Sequence, residues 1–272
     1  GIPTTESETI TGEEELEAYL DSHPGRTVLK KNGFARFVRT FESDSRDELR
    51  DFGTSVLAED TLIAEPYVEG YNLSIFALLD GENYLLLPPA SDYKKAHDNE
   101  EGMLTSGMGA VCPVPIATGE SYERILKEIV EPSIEGLRKE GMLYKGVLFI
   151  SLLVRDEGAL AVSYHVRFGD PEAQVLIPLI SSDFGNLVEA VQNGELRDYH
   201  LCLSKDSAVG VVVAGKSYPE NVEKDIPVHI EPLYPERDTL IFHGATYSRN
   251  GSNNGSREVF TNGRRSFTIV GL

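Results

Sequence analysis

Cysteine is scarce in this chain: Cys112 and Cys202 are the only two in 272 residues, far apart and without paired spacing. That excludes a disulfide framework and gives no zinc site, so a reduced, cytoplasmic setting is the expectation. Also missing is any apolar run near the roughly 20 residues of a spanning helix, and the amino terminus lacks a basic-then-apolar secretory signal. A soluble protein that is neither exported nor membrane-bound is expected. Basic residues are few as well, 25 Lys and Arg against 44 Asp and Glu, for a net charge of -19. Such a surface repels DNA, RNA and anionic membranes at long range, which leaves small molecules as partners; a small anion can still bind a local basic cluster. No internal repeat of solenoid or propeller period is present. What the chain does have is 40% hydrophobic residues, enough for a core, and length for two domains or one large one with an appendage.

Local patterns divide it further. Thr11-Gly12-Glu13-Glu14 has the spacing of a capping box ahead of Leu16, Tyr19 and Leu20, which predicts a helix over 12–21. Thr27–Lys30 reads as a strand followed by an Asn32-Gly33 turn, and Ser45 with Glu48 caps a second helix that Gly53 can end. Residues 1–60 are thus expected as a small α+β unit. Thr61–Val68, Leu73–Leu79 and Tyr84–Leu87 predict an antiparallel meander, and Ser91–Pro115 a long loop of the kind that carries function. A helix over Ser121–Lys139 is predicted from Ile125, Ile129, Ile134 and Leu137, kinked or divided at Pro132. Gly146–Val154 and Ala159–Phe168 form a hairpin. Beyond about residue 197, short strands at Ala208–Val213, Thr239–His243 and Arg265–Val270 point to a small β-rich domain, with Ser248–Ser256 as a hairpin tip. The two Asn-Gly-Ser triplets in that tip read as a turn rather than as glycosylation acceptors.

The segment Val162–Glu172 holds most of the chemistry. In a strand, Ser163, His165 and Arg167 project to one side and Val162, Tyr164, Val166 and Phe168 to the other, so one face is expected to be polar and the other apolar. Arg167 offers a planar fork of donors suited to a carboxylate or phosphate, and its alternative is an internal ion pair. Asp170 and Glu172 follow in the turn. A second candidate is Asp92-Tyr93-Lys94-Lys95-Ala96-His97-Asp98, trailed by the glycine-rich run Gly102–Ala110, where lysines and close backbone N–H groups can hold phosphate.

Together these segments resemble the phosphoribosylamine–glycine ligase (glycinamide ribonucleotide synthetase) family of ATP-grasp enzymes in purine synthesis. Arg167-Phe168-Gly169-Asp170-Pro171-Glu172 matches the second half of its Glu-Phe-Asn-x-Arg-Phe-Gly-Asp-Pro-Glu signature, and Met108-Gly109-Ala110 matches the end of its Thr-Gly-Gly-Met-Gly-Ala run. Ile2-Pro3-Thr4, Glu69-Gly70 with Ser74, Tyr144 to Phe149, Val209 to Val212 with Tyr218-Pro219, Phe242 to Thr246, and Thr261-Asn262-Gly263 with Arg264 recur in the family's order.

The resemblance implies an α+β protein with an ATP-grasp fold: a lid-like small subdomain over 1–60, a main subdomain over 61–196, and a truncated β-rich C-terminal domain over 197–272. It also implies ATP and magnesium as cofactors, and joining of glycine to 5-phosphoribosylamine through an acyl phosphate. On this basis Arg167 and Asp170 are catalytic, and Asp92, Lys94, Met108, Gly109 and Glu172 bind substrate. Lys30, Glu65, Val68 and Asn72 face the nucleotide. The family's N-terminal domain has no counterpart, which leaves room for another chain to supply it.

Several departures weigh against turnover. Ser163 and His165 stand where the family presents Glu and Asn to magnesium, a hard cation that prefers carboxylate oxygen, so no metal ligand is assigned. Lys30, Gly33 and Ala35 survive from the nucleotide-covering loop, but Phe34 to Arg39 lack its later glycines, and Arg36 and Arg39 restore only charge. Pro66 removes an N–H near the adenine position and Asn72 replaces a ribose-contacting Glu. Three readings stay open: a ligase of this type, a non-catalytic relative that binds a small anion or sugar phosphate, and a scaffold that binds neither.

Overall fold

Thr11 precedes the first helix and is held by Glu15 rather than Glu14: its N–H and hydroxyl both donate to that carboxylate, at 2.7 and 2.8 Å, so no reciprocal capping box forms. Gly12 is the N-cap of α1 (Glu13–Ser22), which buries Leu16, Tyr19 and Leu20. In this computed structural model the described residues are 1–33, 40–220, 223–230, 238–250 and 257–272. Phe34 to Arg39, including Ala35, Arg36 and Arg39, and the tip residues 251–256 therefore lie outside the described residues. The chain folds into two compact units, 1–71 with 153–162, and 72–152 with 163–272.

The smaller unit is an antiparallel sheet ordered β1-β4-β2-β3, from β1 (Glu8–Ile10), β2 (Thr27–Lys31), β3 (Thr40–Ser43) and β4 (Leu62–Pro66). Leu29, Leu62 and Ala64 from the sheet meet Leu16, Leu20, Leu49 and Val56 from the helices in one core. The second helix, α2 (Arg46–Leu57), starts as predicted, with Ser45 accepting from the Glu48 N–H at 3.4 Å. It does not stop at Gly53. That glycine is a contact point, because a Cβ there would lie 2.5 Å from Leu16 Cδ2. Gly53→Ala sets about 1 kcal/mol of helix propensity against an overpacking cost of about 1–3 kcal/mol. A net loss of about 1 kcal/mol in urea unfolding is expected, and a stabilised variant would show that the core yields at Leu16.

The larger unit corrects two expectations. First, β4 belongs to the smaller unit's sheet, so no meander links it to β5 (Tyr71–Asp80) and β6 (Tyr84–Leu86); β5 and β6 lie instead in a sheet ordered β10-β9-β5-β6. Second, Ser91–Pro115 is no loop. It forms the edge strand β7 (Ser91–His97) and its neighbour β8 (Glu101–Cys112), paired with register shifts. Helix α3 (Gly119–Ile125) runs through a π turn at Leu126–Val130 into α4 (Glu131–Lys139). Pro132 sits in the first turn of α4, where its missing N–H is tolerated, and the π turn just before it takes up the irregularity. Ile125, Ile129 and Ile134 are buried, as their spacing requires.

The predicted hairpin is β9 (Lys145–Arg155) with β10 (Gly158–His165), followed by α5 (Glu172–Leu176) and α6 (Phe184–Asn193). Three C-terminal strands appear where predicted, as β11 (Ala208–Ala214), β13 (Thr239–His243) and β16 (Arg265–Gly271), and three more are added, β12 (Pro227–Val228), β14 (Thr246–Asn250) and β15 (Arg257–Thr261). A five-stranded sheet ordered β13-β16-β11-β8-β7 joins them to the edge hairpin, and β12, β15 and β14 form a separate sheet. Phe76, Phe149, Val175, Leu176, Leu187 and Val270 anchor this unit's core. No described helix is long and apolar enough to cross a membrane. Cys112 is a buried free thiol, pushed up to about 12 by burial, and Cys202 is exposed and free.

Candidate functional site

In the smaller unit, antiparallel pairing of β2 with β4 brings Lys30 beside Glu65. The Lys30 ammonium donates to both carboxylate oxygens of Glu65, at 2.7 and 2.8 Å, and Thr5 adds a third donor at 3.0 Å. Glu65 is only 7% exposed, so these donors are what make its charge tolerable there. Two residues expected to face a nucleotide thus hold one another. Val68, just past β4, is half-buried.

In the larger unit β7 and the turn before α5 assemble an acidic cluster. Asp92 is buried and lies 3.6 Å from the Lys94 ammonium. Glu172, the first residue of α5, is 3% exposed and accepts from the Ser74 hydroxyl at 3.3 Å. Burial, and secondarily the Asp92 charge, push the Glu172 carboxyl up to about 7. Gly169 makes room for it: a Cβ there would lie 2.4 Å from the Glu172 carboxyl carbon. Residues 74, 92, 94 and 172, widely spaced in the chain, therefore meet. Half-buried Asn72 uses its carbonyl to accept from the Ser91 hydroxyl at 2.8 Å, which ties β5 to the start of β7.

Asp170 and Arg167 do not pair. Asp170 is held by Arg265, whose guanidinium reaches its carboxylate at 3.1 Å and its carbonyl at 2.7 Å, and Gln174 donates to its other carboxylate oxygen at 3.0 Å. Arg167 is exposed and donates to the Phe168 carbonyl at 2.6 Å; among the described residues no ion pair engages it. β10 ends at His165, so Arg167 follows the strand instead of extending its polar face. That face also departs from the expected alternation. Tyr164 and Val166 are 46% and 71% exposed, and the Tyr164 hydroxyl meets Ser133 of α4 at 2.9 Å. Ser163 and His165 share the strand face of the buried Ala159 and Ala161, so the side chains of opposite parity, Tyr164 and Val166, are the ones turned outward.

Met108 and Gly109 lie on β8, half-buried and buried respectively. Gly109 is required by packing: it pairs with Val211 of β11, and a Cβ would come within 2.8 Å of the Gly210 carbonyl oxygen. Arg265 and Gln174 escaped the sequence reading. The Asn262-Gly263 turn marks Arg264, the residue before Arg265, and nothing in sequence reveals a partner 95 residues away.

Magnesium does not fit the strand that would present it. Ser163 Oγ and His165 Nε2 are 2.9 Å apart and bonded to one another, and the His165 ring lies 4.9 Å from that of Phe149. A hydroxyl and an imidazole supply no carboxylate oxygen. Among the described residues, no three His, Cys, Asp or Glu side chains group as a metal site.

Comparison with known proteins bears on this arrangement. The chain is 32% identical over 280 aligned positions to the phosphoribosylamine–glycine ligase of Leptospira interrogans, covering 99% of this chain and 63% of that protein. It is 34% identical over 281 positions to that of Caldanaerobacter subterraneus, covering all of this chain and 65% of the relative. The chain thus spans a little under two thirds of the length of these relatives. A crystal structure of phosphoribosylamine–glycine ligase from Thermotoga maritima superposes with a TM-score of 0.83 at 29% identity, covering 100% of this chain and 68% of that one. The biotin carboxylase domain of Hydrogenobacter thermophilus 2-oxoglutarate carboxylase, solved with MgADP, shares the fold with a TM-score of 0.66 at 12% identity. Residues 1–173 match the family described as phosphoribosylglycinamide synthetase, ATP-grasp (A) domain, and the protein belongs to that family.

Proposed function

We propose that this chain is the ATP-grasp and adjoining β-rich portion of a phosphoribosylamine–glycine ligase. In the reaction, a glycine carboxylate oxygen attacks the γ-phosphorus of ATP, the bond to the bridging oxygen breaks, and ADP leaves. The amine nitrogen of 5-phosphoribosylamine then attacks the acyl carbon, inorganic phosphate leaves, and the amine proton passes to solvent or a base. The observation that carries this reading is the meeting of Asp92, Lys94 and Glu172 in one cluster, which joins the Arg167–Glu172 signature to the hairpin that holds Met108-Gly109-Ala110.

In this reading Lys94 and Arg167 offset the negative charge of the transferring phosphoryl group, as fixed cations do in phosphoryl transfer. Asp92 and Glu172 orient the amine-bearing substrate. Lys30 leaves Glu65 to meet the nucleotide phosphates, while Val68 and Asn72 line the nucleoside. ATP is the nucleotide, the cytoplasm is the compartment, and the length of the relatives not spanned here supplies further contacts to phosphoribosylamine.

Ser163 and His165 favour a second reading, a relative that holds a sugar phosphate without turning over magnesium-ATP. Calorimetry separates the two. Heat on titration with magnesium-ATP supports the ligase, whereas heat with glycinamide ribonucleotide alone supports the binder. Lys30→Met is expected to weaken ATP about tenfold or more, the worth of a charge-assisted hydrogen bond. Unchanged ATP affinity in a folded variant would remove Lys30 from the nucleotide. Substituting Ser163→Glu together with His165→Asn is expected to create magnesium-dependent ATP binding. No gain would mean that losses elsewhere dominate.

A further inference from the structure

Arg265 begins β16, directly after Gly263 and Arg264, both at positive φ, and its guanidinium ties together three separate stretches of the larger unit. One nitrogen, Nη1, lies 3.1 Å from the Ser106 carbonyl, 3.1 Å from the Gly107 carbonyl and 2.7 Å from the Asp170 carbonyl. The other reaches the Asp170 carboxylate at 3.1 Å. The Arg265 side chain is 17% exposed and that of Asp170 59%, so the guanidinium is held against the fold while the carboxylate it grips stays open to water. A guanidinium suits such a junction because its donors are rigidly splayed in a plane, where a lysine ammonium acts as a point charge on a flexible stem.

Three further contacts show what the junction fixes. Gly107 sits at φ +116°, and a Cβ there would come within 2.5 Å of Pro171 Cδ, so β8 and the turn before α5 touch without a side chain between them. Thr105 reinforces the same point by accepting from the Gly107 N–H at 3.0 Å while donating to the Lys94 carbonyl at 2.8 Å. Glu172 follows Pro171 immediately and folds back over Gly169. The strand bearing Asp92 and Lys94 is hydrogen-bonded to β8, with Asp92 opposite Ala110. Arg265 therefore clamps the two segments, β8 and the 169–171 turn, that carry the two halves of the acidic cluster.

We propose that Arg265 is a positioning residue that sets the separation of Glu172 from Asp92 and Lys94 by clamping the Gly169–Pro171 turn onto β8. Asp170 is the handle of that clamp, engaged through its carbonyl and its carboxylate, and it acts on substrate only through the placement of Glu172. That this cluster faces substrate rests on the ligase reading; the clamp itself does not. Loosening it admits water to Glu172 and moves Glu172 away from Asp92, and both changes favour its ionised form. The charged and polar groups facing Glu172 are Asp92, Lys94 and Ser74, none of which the substitution alters.

The test uses Arg265→Met, Arg265→Lys and Gly107→Ala in the full chain, with the Glu172 carboxyl followed by carbon-13 chemical shift from pH 4 to 9. Arg265→Met and Gly107→Ala are expected to lower the Glu172 midpoint by about one pH unit or more, with Arg265→Lys in between. Affinity for glycinamide ribonucleotide, read by calorimetry, is expected to fall about tenfold in the same order. A merely structural role would lower the melting temperature and leave the midpoint in place, and an unmoved midpoint in folded variants overturns the proposal. Should Arg265→Met fail to fold, Arg265→Lys and Gly107→Ala decide. Absence of glycinamide ribonucleotide binding in the unaltered protein would count against the ligase reading, while the Glu172 midpoint would still judge the clamp.

Discussion

Phe76→Ala is expected to destabilise the larger unit by about 3–5 kcal/mol, the usual cost of truncating a fully buried phenylalanine to alanine. Phe76 is 0% exposed at the middle of β5, and its ring stacks on Phe149 at 4.7 Å and lies 5.9 Å from Phe168. Both contacts lead toward the polar region. Phe149 packs against His165, and the carbonyl of Phe168 holds Arg167. The cavity therefore cannot close without moving a ring that supports one of those residues. Urea unfolding should show a lower midpoint with an unchanged slope, since the same surface is exposed on unfolding. A loss below about 1 kcal/mol would mean that the neighbouring rings collapse into the space, as well-adapted sites can.

That aromatic stack shows what sequence pattern can and cannot carry. The strand at Leu73–Leu79, the helix around Ile129 and Ile134, and the strands at Ala208–Val213 and Thr239–His243 were legible because periodicity and burial agree there. Ser45 was legible as a cap because a hydroxyl three residues before a backbone N–H has a local partner. Failures arose where a distant segment decides the outcome. Gly53 reads as a helix end, yet Leu16 requires it within the helix. Ser91–Pro115 reads as a loop because its Asp, Lys, Gly and Ser residues hide any period, and only the pairing of β8 with β11 reveals the sheet.

The candidate site divides in the same way. Asp92, Lys94 and Glu172 could be marked as chemical by type and by family resemblance, and they do lie together. Pairing within the site was not legible. Arg167 and Asp170 are close in sequence and invite a mutual ion pair, but the turn after His165 sends them apart and Arg265 takes the carboxylate. An ion pair depends on backbone direction at both ends, which residue types alone do not fix.

Glu172→Gln is expected to make the protein more stable at pH 8 and to remove the part of its stability loss that Glu172 contributes between pH 4.5 and about 7. Glu172 has an ordinary value of 4.5 and is pushed up to about 7 in the folded chain by burial, with the Asp92 charge adding to it. Below 4.5 the group is neutral in both states and costs nothing. As pH rises from there toward 7 the unfolded chain ionises first, the folded chain holds more protons, and stability falls. The loss is complete once pH passes the folded value, and the span of the shift corresponds to about 3 kcal/mol. Glutamine is close in shape, can still meet the Ser74 hydroxyl, and carries no charge to desolvate. Its unfolding free energy should match that of the unaltered protein near pH 4.5 and exceed it by up to about 3 kcal/mol at pH 8. Parallel stability curves for the two proteins across that range would show that Glu172 is not the group holding the extra proton. A buried carboxylate kept at such a cost is expected where function needs it, because activity and stability compete for the same position. The same variant should therefore lose glycinamide ribonucleotide affinity while it gains stability, and a gain in both would detach Glu172 from substrate.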